Sequence, residues 1–179
     1  AEIIDFRVRG LTVINKFFEK LIRMIKPLSV NSVAIKYVFF KTDDEWQGKE
    51  DYKNKLKTKI SLGIDKERRV GYALYGPHRD DFVIEFDRRN LFLLFSKGIN
   101  RMSAILFKIS ELMAMDEKFG EYPVMLLDEA MAELDQEIKK NVVNIFNKNT
   151  QVFYTSVSEE DEFLFDEVVK YRMQAGALK

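Results

Sequence analysis

Residues 121–135 read Glu-Tyr-Pro-Val-Met-Leu-Leu-Asp-Glu-Ala-Met-Ala-Glu-Leu-Asp, and they limit the possible folds more than any other stretch. Val124, Met125, Leu126 and Leu127 form an unbroken apolar run, entered through Pro123 and closed by Asp128 and Glu129. Such a run predicts a strand buried on both faces, as in a parallel sheet. Open α/β sheets carry their chemistry at the carboxyl ends of these strands. Two adjacent acids there suit magnesium and water. One carboxylate holds the hydrated ion, and the next orients or deprotonates an attacking water. The same pair also suits the acidic first turn of a following helix, and the spacing alone leaves both readings open.

Around this block helix and strand patterns alternate. Ser96-Lys97-Gly98-Ile99-Asn100-Arg101 opens a long helical repeat with Ile105, Leu106, Ile109, Leu112 and Met113 on one side, ending near Phe119 and Gly120. A Ser and a Gly at a helix opening suit an anion, because unpaired backbone N–H groups point outward there. They also make an ordinary N-cap (Ser96 or Ser103), the commoner use of such residues. A helix is predicted over 137–148 with Ile138, Val142, Ile145 and Phe146 inward. A buried strand follows over 151–156, then an acidic helix or loop over 159–166 and a last strand over 168–173. This alternation predicts an α/β fold, a mostly parallel sheet under helical cover.

The upstream part is different. Residues 1–25 repeat apolar side chains at spacings of three and four, the mark of an amphipathic helix, which Pro27 ends near Lys26. The chain starts without Met or a cap, which is expected of the remainder of a longer polypeptide, with removal of an initiator Met as the alternative. Residues 32–41 predict a strand and 42–48 a polar turn around Trp46. Residues 49–69 predict a helix with Tyr52, Leu56, Ile60 and Ile64 as a narrow seam, with Gly63 as a candidate break. Its basic face (Lys53, Lys55, Lys57, Lys59, Lys66, Arg68 and Arg69) is either solvated or a phosphate-backbone patch. Across 70–87, apolar runs flank Gly76-Pro77 and predict a hairpin or corner. His78 is the only histidine, which gives a His-based metal site or catalytic pair little support. Arg79, Asp80 and Asp81 predict an internal Arg–carboxylate network that fixes the turn. Residues 91–95 add an apolar strand or loop approach. Two units result: 1–69, a helical lobe segment with one strand, and 70–179, which carries the acid block.

Composition narrows the class. A chain of 179 residues with 46% hydrophobic content supports a substantial core. Lys plus Arg equals Asp plus Glu at 29 each, so no global field draws it to nucleic acid or membrane, and DNA contact needs a local patch. The absence of cysteine excludes disulfides and Cys-based zinc sites. Apolar runs fall short of a membrane span. A soluble, cytoplasmic protein is expected.

Three blocks occur in one order: Gly76-Pro77-His78-Arg79-Asp80-Asp81, then Ser96-x-Gly98-x-x-Arg101, then Leu126-Leu127-Asp128-Glu129 with Glu133-Leu134-Asp135. Together they resemble the C-terminal half of the RecF family, DNA replication and repair ATPases related to SMC and ABC proteins. The hexapeptide is the most specific block. The resemblance is strongest over 72–156 and poor in motifs over 1–69, where the family has a helical lobe. It implies the C-terminal half of an ABC/SMC-type ATPase lobe, with ATP and Mg2+ as cofactors. Asp128 matches the Walker B aspartate of the magnesium shell, and Glu129 the position that activates water for attack on the γ-phosphate. Asp135 matches the D-loop aspartate that reaches across a dimer. Ser96, Gly98 and Arg101 match the signature motif, which binds ATP held by the opposite subunit. Thr155, or Ser156 beside it, falls at the switch position.

The implied partners are DNA, a second copy joined on ATP binding, recombination mediator proteins and no membrane. The basic helix offers Lys53, Lys57, Arg68 and Arg69 as DNA contacts. The implied work is recombinase loading at gaps, within DNA repair, recombination and the SOS response. Ile99 and Asn100 stand where the family usually has two glutamines. No Gly-x-x-x-x-Gly-Lys-Ser/Thr segment occurs. The resemblance therefore assigns the β- and γ-phosphate cradle to a Walker A-bearing N-terminal half, and the chain alone is expected to be an inactive fragment. Two other readings stay open: a nucleotide-independent DNA- or protein-binding scaffold with relic ATPase motifs, and a stand-alone magnesium-dependent hydrolase.

Overall fold

A computed structural model describes residues 1–25, 30–40, 42, 46–146, 150–158, 161, 164–165 and 168–178. Helix α1 (Glu2–Met24) turns Ile4, Phe18, Leu21 and Ile22 inward. Strand β1 (Val33–Val38) pairs antiparallel with β2 (Asp81–Phe86) from Val33 opposite Phe86 to Val38 opposite Asp81. Asp87 and Arg88, both with positive φ (50° and 62°), make the tight turn from β2 into β3 (Arg89–Asn90). Two left-handed residues in succession match the right-handed twist of a two-residue hairpin.

Helix α2 (Lys49–Val70) passes straight through Gly63, contrary to the expected break. Gly63 serves a close approach instead, since a Cβ there would lie 2.6 Å from the Tyr75 ring. The helix ends at Gly71 in the left-handed region, whose N–H returns to the Glu67 carbonyl at 2.9 Å. The hairpin predicted across Gly76-Pro77 is absent, because residues 70–75 form no strand and β2 takes β1 as its partner. Side chains satisfy that segment's backbone instead. Leu74 N–H donates to Glu67 Oε1 at 2.7 Å, and the Ala73 carbonyl accepts from Arg79 Nε at 3.2 Å. Residues 91–94, expected as a strand or loop, form the short helix α3 (Leu91–Leu94), whose Phe92 N–H is capped by Asn90 Oδ1 at 3.0 Å.

Helix α4 (Lys97–Phe119) is the centre of the molecule. It buries Met102, Ile105, Leu106, Phe107, Ile109 and Leu112, packing α1 against one side and β4 (Met125–Asp128) against another. Strand β5 (Val152–Thr155) runs parallel to β4 with Leu126 beside Phe153 and Asp128 beside Thr155. Helix α5 (Gln136–Val143) lies between them in sequence and is shorter than predicted; residues 147–149 of that prediction fall outside the described residues. Most of the predicted acidic segment 159–166 also falls outside them. The last predicted strand begins only at Met173, in a hairpin of β6 (Met173–Gln174) and β7 (Ala177–Leu178). The α/β fold with a parallel sheet is thus present, beside a separate antiparallel sheet of β1, β2 and β3. The main core draws on residues from both sides of position 69. Among the described residues no helix is long and apolar enough to cross a membrane.

One expectation about the central strand fails. Burial along β4 alternates: Met125 and Leu127 are buried, whereas Leu126 is 73% exposed, as is Phe153 beside it at 55%. The apolar run is therefore covered on one face only, and the exposed Val124 and Leu126 line an open groove whose other wall is α4, through Ala104, Lys108 and Met115.

The Gly-Pro-His-Arg-Asp-Asp block acts as a clasp, and Asp80 is its hub. Asp80 accepts from Tyr52 OH (3.1 Å), Tyr37 OH (3.3 Å) and Phe40 N–H (3.1 Å), while Arg7 donates to Tyr37 OH (3.1 Å). The expected Arg79–carboxylate network is not formed among the described residues. Arg79 sits over the Tyr72 ring and donates to a carbonyl, and His78 reaches that same Ala73 carbonyl. Burial, together with the Asp80 charge, pushes the Tyr52 hydroxyl far above its ordinary value of 10. Asp80→Ala strands three donors and is expected to cost about 3 kcal/mol in urea unfolding, with Asp80→Asn milder. An unchanged midpoint in Asp80→Ala would dismiss the clasp.

Candidate functional site

The carboxyl ends of β4 and β5 bring three side chains together. Thr155 Oγ1 donates to Asp128 Oδ1 at 2.6 Å and accepts from Glu129 N–H at 3.0 Å. All three residues are exposed. Glu129 holds a left-handed backbone (φ 45°), which costs a side chain with a Cβ on the order of 1 kcal/mol. The Thr155 hydroxyl supports that turn, so strain and its support meet where the strand reading placed the chemistry.

Neither acid starts a helix. The next helix, α5, is capped by Asp135, whose Oδ1 accepts from Ile138 N–H at 2.8 Å. Among the described residues no three metal-ligating side chains gather in one place. One exposed carboxylate, braced by a hydroxyl, fits an ion such as Mg2+ that keeps most of its waters and binds phosphate as well. Asp128 is the residue that would hold it.

The opening of α4 forms a second location. Ser96 is its N-cap, with Oγ accepting from Ile99 N–H at 3.4 Å, and its side chain faces solvent. Asn100 donates through Nδ2 to the Phe95 carbonyl at 3.4 Å, and its Oδ1 is buried without a partner. Arg101 pairs with Glu133 at 3.6 Å, and a Cβ on Gly98 would lie 4.0 Å from the Glu133 carbonyl oxygen. The helix mouth and the turn before Asp135 are therefore neighbours. No described hydrogen bond or ion pair joins Ser96 to Asp128.

The basic residues on α2 are separate from both. Lys53, Lys57, Arg68 and Arg69 are exposed. Lys53 lies 3.7 Å from Glu50 and Arg68 lies 3.8 Å from Asp65, while Arg69 Nε donates to the Asp65 carbonyl. Weak pairs of this kind leave the positive charges available to other anions.

The sequence reading missed one cluster. Lys139 and Asp161, 5% and 3% exposed, form an ion pair of 2.7 Å, and Asp161 also accepts from Tyr154 OH and Ser156 OH. A signal existed: Lys139 sits three residues before Val142 and seven before Phe146, on the inward face of α5. Burial alone would raise the Asp161 pKa, but hydrogen bonds from Lys139, Ser156 and Tyr154 outweigh it and hold the carboxyl below its ordinary 3.8. Burial, then the bond to Asp161, pushes the Tyr154 hydroxyl up to about 12. A carboxyl whose folded value is depressed stabilises the fold above its unfolded value and loses that contribution as pH falls through the folded one. Urea unfolding is therefore expected to weaken below about pH 3.8. Asp161→Asn should be weaker at pH 7 by about 3 kcal/mol, the cost of breaking a buried pair, and flatter in acid. Identical acid profiles would remove Asp161 as the cause.

The fold matches that of SMC-type ATPases. A solved structure concerned with ATP-driven dimerization and DNA-stimulated activation of SMC ATPases superposes with a TM-score of 0.54 at 14% identity, over 98% of this chain and 86% of that one. That likeness concerns the fold alone. No family model matches the chain. The chain is nonetheless similar to curated proteins named DNA replication and repair protein RecF. It is 29% identical to RecF of Ligilactobacillus salivarius over 99% of its own length and 47% of the relative's, and 28% identical to RecF of an Exiguobacterium species over 88% and 44%. A solved structure of the recombination mediator protein RecF with ATP, in the RecFOR pathway, superposes with a TM-score of 0.74 at 26% identity, covering 99% of this chain and 46% of that one. The chain thus spans about half the length of the relatives it matches.

Proposed function

We propose that this chain is the signature- and Walker B-bearing part of a RecF-like DNA replication and repair ATPase. The observation that carries this is the Thr155–Asp128–Glu129 constellation, exposed at the ends of parallel strands and braced by a hydroxyl. Asp128 would hold the hydrated Mg2+. Glu129 orients the attacking water and accepts its proton, with the Thr155 hydroxyl keeping both acids in place. Ser96, Gly98 and Arg101 face an ATP held by a second copy, so that nucleotide joins two protomers and hydrolysis parts them. Asp135 adds to that interface. A Walker A-bearing N-terminal half supplies the phosphate cradle. Recombinase loading at gaps, alongside recombination mediator proteins, is the task this machinery serves.

The test mixes this chain with a Walker A-bearing RecF N-terminal half and follows Mg2+-dependent ATP hydrolysis. Turnover by the mixture and by neither piece alone is expected. If the mixture is inactive but the chain binds duplex without nucleotide, the scaffold reading replaces this one.

DNA contact is assigned to the α2 face. The double charge reversal Lys53→Glu, Lys57→Glu should weaken duplex binding and reduce the slope of log K against log salt by about two, roughly 0.9 for each phosphate no longer neutralised. An unaltered slope would move the DNA contact elsewhere.

A further inference from the structure

One carboxylate grips the residues on both sides of Thr155. Successive side chains of an extended strand face opposite ways, so Tyr154 points away from the face that carries Thr155, and Ser156, just past β5, turns its hydroxyl to the same carboxylate as Tyr154. Both hydroxyls converge on Asp161 Oδ2, Ser156 at 2.6 Å, while Asp161 Oδ1 takes Lys139 Nζ at 2.7 Å. The Phe165 ring lies 5.8 Å from that of Tyr154, so Asp161 and Phe165 both lie against the strand.

We propose that Asp161 and Lys139 are positioning residues for Asp128 and Glu129, acting through Thr155. This rests on the reading of those two acids as the hydrolytic pair. Fixing Tyr154 and Ser156 from behind fixes the pitch of the Thr155 side chain between them. That side chain makes the contacts from β5 to both Asp128 and Glu129 N–H. Lys139 carries the linkage further. It lies one turn from Asp135 on α5, and its N–H donates to the Asp135 carbonyl at 2.9 Å. The Asp135 turn and the Asp128 site are thereby tied to one buried carboxylate. Packing alone does not require this arrangement, because apolar residues of similar size commonly replace a buried ion pair without loss. A carboxylate there accepts both hydroxyls at one oxygen, and Lys139 offsets the cost of burying its charge.

The experiment reads hydrogen exchange of the Glu129 amide by NMR in the chain carrying Asp161→Asn, and separately in Ser156→Ala. Exchange at Glu129 is expected to rise about tenfold in both, while Leu106 and Ile109 in α4 keep their rates in Ser156→Ala. An unchanged Glu129 rate with an intact α4 overturns the proposal. If Asp161→Asn loosens α4 as well, Ser156→Ala, which removes a single hydroxyl, decides by the same comparison. In the mixture with the Walker A-bearing half, Ser156→Ala should lower kcat with KM for ATP unchanged, and Ser156→Thr should restore it. Loss through KM alone overturns the positioning role. Absence of hydrolysis in the unaltered mixture would instead refute the functional reading, while the Glu129 exchange rate still decides the coupling.

Discussion

Glu129→Gln is expected to reduce ATP turnover by the chain and its Walker A-bearing partner by about 10²–10⁴-fold, the usual contribution of a positioned general base. Binding of ATP, and any pairing of protomers that depends on it, should survive. The amide keeps the shape of the side chain and the backbone bond to Thr155 Oγ1, so the folded site is preserved. What disappears is the proton acceptor. Single-turnover hydrolysis with a parallel binding measurement separates the two. Turnover equal to that of the unaltered chain would take Glu129 out of the mechanism and leave its strained backbone without a functional account.

The second large effect is expected on the uncovered face of the parallel sheet. Leu126 and Phe153 stand side by side in register, 73% and 55% exposed, with Val124 at 51%. Parallel sheets are buried on both faces. The chain covers only 44–47% of two of its relatives, and the proposed function calls for a Walker A-bearing partner. Leu126→Asp should therefore weaken association with that partner by about 10²-fold, through a charge placed in an apolar contact. The chain by itself should change by no more than about 0.5 kcal/mol, as for other surface substitutions. Titration calorimetry against thermal unfolding of the chain alone reads both. Equal affinity for the two forms would show that this face is not where the partner sits.

Much of the site was readable from the chain itself. An apolar run closed by two acids announces a strand end, and the structure places Asp128 and Glu129 there beside Thr155. The α4 stripe was also readable, because a 3.6-residue period survives in any window long enough to show it. Shorter segments were not. Residues 70–75 have the composition of a strand, yet Val70 ends a helix and the rest is held by Glu67, Arg79 and the packing of Tyr75 on Gly63. Gly63 looked like a helix break for the same reason: propensity is local, while the ring that needs its missing Cβ arrives from a dozen residues downstream.

The order of motifs, the pair of acids closing an apolar run and the likeness to RecF that they carry were set by the sequence, since each depends on neighbours along the chain. Which face of β4 is bare, which carboxylate of the hexapeptide is the hub, and that Lys139 meets Asp161 were decided only in three dimensions. Those facts depend on contacts between residues far apart in sequence, where burial and the cost of an unpaired charge, rather than spacing, select the partner.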